Sequence, residues 1–159
     1  MSDTGGLRKA LDDAGVVYLD AVVLALHLAA EPRYVPLTRE VLGGIRDGKF
    51  EARTSAISLY QLLAEPYRSG HDSTAERVEM LLSALPGLEI VALSATISGQ
   101  AAQVKAQVGG SLTRAIHIAT GLAGDAELFV TQRSALRRIA GLRIEQLDAY
   151  VGETSESGT

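Results

Sequence analysis

Chemistry in this chain most plausibly begins at Asp20, an acid that stands directly after the apolar run Val16-Val17-Tyr18-Leu19. A carboxylate in that place has two ordinary uses. It can cap the helix that follows, or it can serve as a hard oxygen ligand for a divalent cation. A second cluster of interest follows another apolar run, at Thr131-Gln132-Arg133, and a third lies near Ser55. The basic residues Arg114, Arg133, Arg137, Arg138 and Arg143 offer a different chemistry. Together they would suit a groove that tracks phosphates, with affinity that falls as salt rises. An aromatic content of 4% and a net charge of -4 both weigh against a nucleic-acid binder built on stacking and bulk charge.

Other chemistries are excluded by residue type and spacing. With no cysteine there is no disulfide, thiolate metal site or thiol nucleophile. No GxxxxGK[ST], HExxH or GxSxG pattern occurs. Gly43-Gly44 and Gly109-Gly110 do not open a dinucleotide fingerprint and read as helix ends. His27, His71 and His117 are far apart, and His117 lies in an apolar helix where a packed, hydrogen-bonded imidazole is expected.

The elements that would position these residues can be read from pattern. Val16–Leu19, Phe50–Ser55, Glu89–Leu93, Leu128–Thr131 and Leu142–Ile144 are strand-like. Helices are expected over Ala21–Ala30, Thr38–Arg46, Ile57–Ala64, Ser73–Leu85, Ser94–Val108, Leu112–Ala123 and Ser134–Ile139. In the third of these, Ile57, Tyr60, Leu63 and Ala64 share a face and Pro66 closes the helix. In the fourth, Ser73 and Glu76 have capping-box spacing. Apolar strands alternating with helices predict a parallel sheet covered on both faces. In such a sheet the working site lies at the carboxyl ends of the strands, where Asp20 and Thr131 fall.

The 159 residues, 47% apolar, suit one domain over residues 15–151, after an N-terminal segment 1–14 and before a disordered tail 152–159. No apolar run approaches the ~20 residues of a membrane span. The polar start, with Asp3, does not read as a secretory signal, so a cytoplasmic protein is expected.

Four blocks carry a resemblance to a known family. They are Val16 through Leu24, Thr54 through Pro66, Leu112 through Thr120, and Phe129-Val130-Thr131-Gln132-Arg133. In order and spacing they resemble the PIN-domain family, and within it the toxin ribonucleases of the VapC type. The resemblance implies a three-layer α/β/α fold with a central, mainly parallel sheet of four to five strands. It also implies acids gathered at one end of that sheet to hold Mg²⁺ or Mn²⁺ for cleavage of single-stranded RNA, a homodimer, and an antitoxin-like protein partner.

The chain departs from that pattern. Asp20 matches the first acid, but Gln61, Arg114 and Arg133 stand where the second, third and fourth acids are usual. Two unit charges about 4–5 Å apart interact by roughly 3–4 kcal/mol at an effective dielectric near 20, and a divalent ion beside a guanidinium feels about twice that repulsion. Inward-pointing Arg114 and Arg133 would therefore pair with Asp20 in the metal's place, with no cofactor bound. Catalytically inactive binding of protein or RNA is the function this predicts. The alternative is an active Mg²⁺- or Mn²⁺-dependent endoribonuclease, the toxin of a toxin–antitoxin pair, in which Glu65, Asp125 or Asp148 substitutes for the missing acids. Each position also has a plainer reading. Asp20 caps a helix, Arg114 snorkels outward, Gln61 faces solvent, and Arg133 with Arg137 and Arg138 forms a solvated helix face.

Overall fold

The computed structural model describes residues 1–152; all but the first residue of the tail expected to be disordered lies outside the described residues. The elements run α1 (Thr4–Asp12), β1 (Val16–Leu19), α2 (Ala21–Leu28), α3 (Val35–Arg46), β2 (Glu51–Ser55), α4 (Ile57–Arg68), α5 (Asp72–Ser83), β3 (Leu88–Val91), α6 (Ala95–Val108), α7 (Leu112–Ala123), β4 (Leu128–Thr131), β5 (Arg138–Ile139) and β6 (Leu142–Gln146). A six-stranded sheet forms in the order β3-β2-β1-β4-β6-β5. All pairings are parallel except β5 with β6.

Alternation along the short central strands divides the core into two layers. Val17 and Leu19 of β1, with Leu128 and Val130 of β4, face a cluster containing Leu7, Leu24, Leu37 and Val41 from α1, α2 and α3. Tyr18 and Phe129 face the other side, against Ile97 and Val104 of α6 and Ile116 and Ile118 of α7. Tyr18 and Phe129 stack there, with ring centroids 5.1 Å apart. Helices thus cover both faces, as continuous apolar strands require.

The order of strands sets the site. From β1 the chain moves outward through β2 to β3, then returns to the other flank of β1 as β4. The connections therefore diverge between β1 and β4, and a crevice opens at the carboxyl ends of those two strands. Asp20 and Thr131 are the residues that stand there.

Several local expectations are corrected. The sheet has six strands rather than four or five, because residues 134–139 are not helical and Arg138–Ile139 pairs with β6 as an edge strand. Ile139 and Leu142 are both buried in the α6–α7 layer, and pairing across the tight turn between them satisfies that burial where a helix would not. Helix α4 runs through Pro66 to Arg68, and the residues it buries are Ser58, Leu62 and Pro66. Tyr60 is 67% exposed. Helix α5 begins at Asp72 after His71, with no side-chain cap, so Ser73 lies inside the first turn. Gly43 and Gly44 sit inside α3, where a Cβ on Gly44 would collide with the Phe50 ring. Gly109 and Gly110 do end α6, at φ +68° and +83°.

Candidate functional site

A cleft of about 390 Å³ opens at the carboxyl ends of β1 and β4. Asp20, Gln61, Arg114 and Arg133 all line it, together with His117, Thr131, Ser111, Thr113 and Ser134. The fold thus gathers residues from the end of β1, the middle of α4, the first turns of α7 and the loop after β4.

Asp20 occupies the N-cap position of α2, yet its carboxylate makes no cap bond. Instead Oδ2 accepts from the Thr131 hydroxyl at 2.8 Å, while the Asp20 amide donates to the Val130 carbonyl at 3.0 Å. The end of β4 therefore fixes the acid that ends β1.

His117 supplies the polar interior of the site. It is 1% exposed. Its Nε2 lies 2.6 Å from Gln61 Oε1 and 3.5 Å from Asp20 Oδ1, and its Nδ1 lies 2.6 Å from the Tyr18 hydroxyl. The amide oxygen of Gln61 can only accept, so Nε2 carries the proton, Nδ1 is bare, and Tyr18 donates to it. Burial lowers the proton affinity of His117, and the nearby Asp20 charge only partly opposes this. Burial, reinforced by Asp20, raises the pKa of Tyr18 above the ordinary phenol value. The chain is consequently a neutral imidazole held between a phenol and an amide. The expected packed histidine is present, but its place in the cleft had no signal in sequence, because Tyr18 is 99 residues away.

The expected ion pairs are corrected. Neither Arg114 nor Arg133 pairs with Asp20 among the described residues. Arg133 follows β4 outward and donates from Nε to Asp148 Oδ2 at 2.8 Å, with its side chain 78% exposed. Arg114 stands on the first turn of α7, and its stem lies along Gly110, whose Cβ, if present, would come within 3.3 Å of Arg114 Cδ. Its Nη2 is buried and has no hydrogen-bond partner among the described residues.

The proposed substitute acids do not enter the cleft's lining. Glu65 pairs with Arg68 on the exposed side of α4. Asp125 lies in the turn before β4, at the opposite end of the sheet, at φ +55°. Asp148 accepts from both Tyr34 and Arg133. Nor do the five arginines form one groove. Arg138 and Arg143 sit opposite each other on β5 and β6 and line a separate hollow with Asp13 and Glu127, near the amino end of β4. Arg137 is exposed in the loop before β5. Because this loop is extended, the solvated helix face expected for Arg133, Arg137 and Arg138 is absent.

The described residues therefore do not fit a divalent cation. One carboxylate reaches the cleft, the amide oxygen beside it is engaged by His117, and the remaining charged groups lining the cleft are guanidiniums. Among the described residues no group of three or more His, Asp or Glu side chains is placed to hold a metal. Hard cations need several oxygen ligands.

A family model of the PIN domain matches residues 17–142. The chain belongs to the PIN-domain family. Solved structures share this PIN fold at low identity. A toxin–antitoxin complex from Klebsiella pneumoniae matches at TM-score 0.60 and 16% identity, covering 79% of this chain and 94% of that one. VapBC2 from Rickettsia felis, bound to a DNA fragment from its promoter, matches at TM-score 0.60 and 18% identity, covering 82% and 98%. DNA-bound VapBC from Salmonella typhimurium matches at TM-score 0.55 and 16% identity, covering 82% and 97%. No curated protein matches the chain. In open α/β sheets of this kind ligands bind in the crevice at the carboxyl ends of the strands. Among the described residues no helix is long and apolar enough to cross a membrane.

Proposed function

We propose that this PIN-domain protein acts by binding rather than by metal-dependent cleavage of RNA. The observation that carries the reading is the composition of the β1–β4 cleft: among the described residues Asp20 is its only acid, and Arg114 and Arg133 line the same space. A guanidinium beside a divalent cation costs several kcal/mol even at an effective dielectric near 20. Among the described residues no further acid lines the cleft to offset that cost.

The partner this reading favours is a small protein of the antitoxin kind, bound to a homodimer of the chain. The solved structures of similar fold include toxin–antitoxin complexes. Exposed apolar side chains also stand next to cleft residues in sequence: Tyr60 beside Gln61, and Leu112 two residues before Arg114.

The deciding measurement combines thermal unfolding with an RNA cleavage assay on the pure protein. Millimolar Mg²⁺ or Mn²⁺ is expected to leave Tm unchanged, since binding to the folded state alone would raise it. Single-stranded RNA is expected to survive. Mn²⁺-dependent cleavage that disappears in Asp20→Ala would overturn the reading in favour of an active endoribonuclease.

A further inference from the structure

Arg114 presents a problem that the metal-free reading does not solve. Guanidinium groups are expensive to bury, and a buried donor without an acceptor is rarer still in a folded protein. Yet Arg114 Nη2 is buried and unpartnered among the described residues, in a side chain that lines an open cleft. The nearest acid in the cleft, Asp20, is satisfied elsewhere by Thr131 and faces His117. The Arg114 guanidinium thus lines the cleft with no acceptor among the described residues.

The surroundings define that acceptor. Ser111 caps α7 and its hydroxyl accepts from the Arg114 amide; it also shares a 3.2 Å hydrogen bond with the Thr113 hydroxyl, so one of the two hydroxyl protons stays free. Both hydroxyls line the cleft, as does Arg133, whose Nε alone is committed to Asp148. The first turn of α7 adds its partial positive charge to the same side. A carboxylate could occupy one guanidinium, but two guanidiniums and one free hydroxyl donor supply more donors than its two oxygens ordinarily take. A phosphoryl group has three terminal oxygens and suits bidentate arginine.

A second hollow of about 270 Å³ adjoins this one and shares Ala25, Gln61 and Leu62 with it. Leu28, Ala29 and Val78 give that hollow a mainly apolar wall. A polar compartment of small-ligand size, extended by a smaller apolar one, fits a charged group carrying a flat organic body. We propose that the cleft binds a phosphate monoester of nucleotide size, its phosphoryl group on Arg114 and Arg133 and its organic group in the hollow between α2, α4 and α5. The proposal rests on the reading that the cleft holds no divalent cation.

The test uses calorimetry and thermal unfolding of the full chain in EDTA at fixed ionic strength, with adenosine 5′-monophosphate, inorganic phosphate, adenosine and acetate as separate probes. The monophosphate is expected to bind best, phosphate more weakly, and adenosine and acetate not measurably. Arg114→Gln should weaken monophosphate binding by about tenfold or more. Arg114→Lys, which keeps the charge but loses the fork, should fall between. Asp20→Asn should strengthen binding, since it removes the like charge; in a site that held its anion through a metal the same change would weaken it.

No binding of the monophosphate in EDTA overturns the proposal, as does unchanged binding in an Arg114→Gln protein that melts cooperatively. Phosphate binding as tightly as the monophosphate would overturn the role of the apolar hollow. A Tm shift with Mn²⁺ alone, in the absence of any phosphate and EDTA, would instead overturn the metal-free reading. The two failures are thus separately visible.

Discussion

Tyr18, His117, Gln61 and Asp20 make one polar chain through an otherwise apolar layer, and each member is set by the next. Tyr18 is buried at 0% exposure, so its hydroxyl must find a partner inside the protein. Tyr18→Phe would leave Nδ1 of His117 without a donor and is expected to cost about 1–3 kcal/mol, read from denaturant unfolding. The same chain predicts a pH dependence. Burial lowers the proton affinity of both His117 and His27 below the ordinary value of 6.5. Below that pH the unfolded chain binds more protons than the folded one, so stability is held above pH 6.5 and lost as pH falls beneath it. Tm should therefore drop between pH 7 and pH 5.5. His117→Gln should start from lower stability but show a shallower slope, and a slope unchanged from wild type would remove His117 from the account. Gln61 and Arg114 line the same space as Asp20. Gln61→Glu with Arg114→Asp would place two carboxylates beside Asp20. Mn²⁺ at a hundredfold excess over its dissociation constant should then add about 2.7 kcal/mol to the stability of the double variant. Arg133 is left out of that reversal because its Nε is held by Asp148.

At the scale of elements, what was legible in the sequence follows from whether the signal was local. Helix α6 starts where Ser94 caps it, its hydroxyl accepting from the Ile97 amide at 3.1 Å, and ends at two glycines of positive φ; both boundaries were readable. The same is true of α7 and β4, whose ends carry Ser111 and the turn at Gly124-Asp125. Residues 134–139 were not readable, because a six-residue stretch has no usable period and its conformation is fixed by pairing with β6. Helix α4 misled in a different way. It carries two apolar stripes, and only the packing of α2 and α5 decides that Ser58, Leu62 and Pro66 go inward while Tyr60 stays out. The site divides along the same line. The carboxyl-end positions of Asp20, Gln61, Arg114 and Arg133 came from the order of blocks along the chain. The Arg133–Asp148 pair and the Tyr18–His117 contact depend on residues remote in sequence. Helix α1 belongs to this second group. Leu7 is 0% and Leu11 1% exposed, packed with α3 in the main core cluster. Leu7→Ala is accordingly expected to cost about 2–5 kcal/mol. A loss below 1 kcal/mol in denaturant unfolding would show that residues 1–14 are an appendage of the domain rather than part of its core.

For the molecule as a whole, the placement of charge decides what a long polyanion could do. Net charge is -4, so attraction to RNA must come from a local array of cations. Five arginines in one groove would release counterions from about five phosphates, and for single strands the logarithm of affinity would fall with the logarithm of salt at a slope near ~-3.5. The fold does not build that array. Arg114 and Arg133 line the cleft at the carboxyl ends of β1 and β4, whereas Arg138 and Arg143 line a hollow near the amino end of β4, beside Asp13 and Glu127. Arg143 is further offset by Glu145, 3.8 Å away. Only two guanidiniums are then available to one strand in the cleft, which gives a slope of about -1.4 by the same rule. Fluorescence anisotropy of a labelled single-stranded RNA over a range of KCl concentrations measures this directly. A slope near the lower figure, unchanged in the double variant Arg138→Gln with Arg143→Gln, is the expected result. A steep slope that flattens in that variant would mean that RNA spans both ends of the sheet, and that the two arginine pairs act as one surface despite the acids between them.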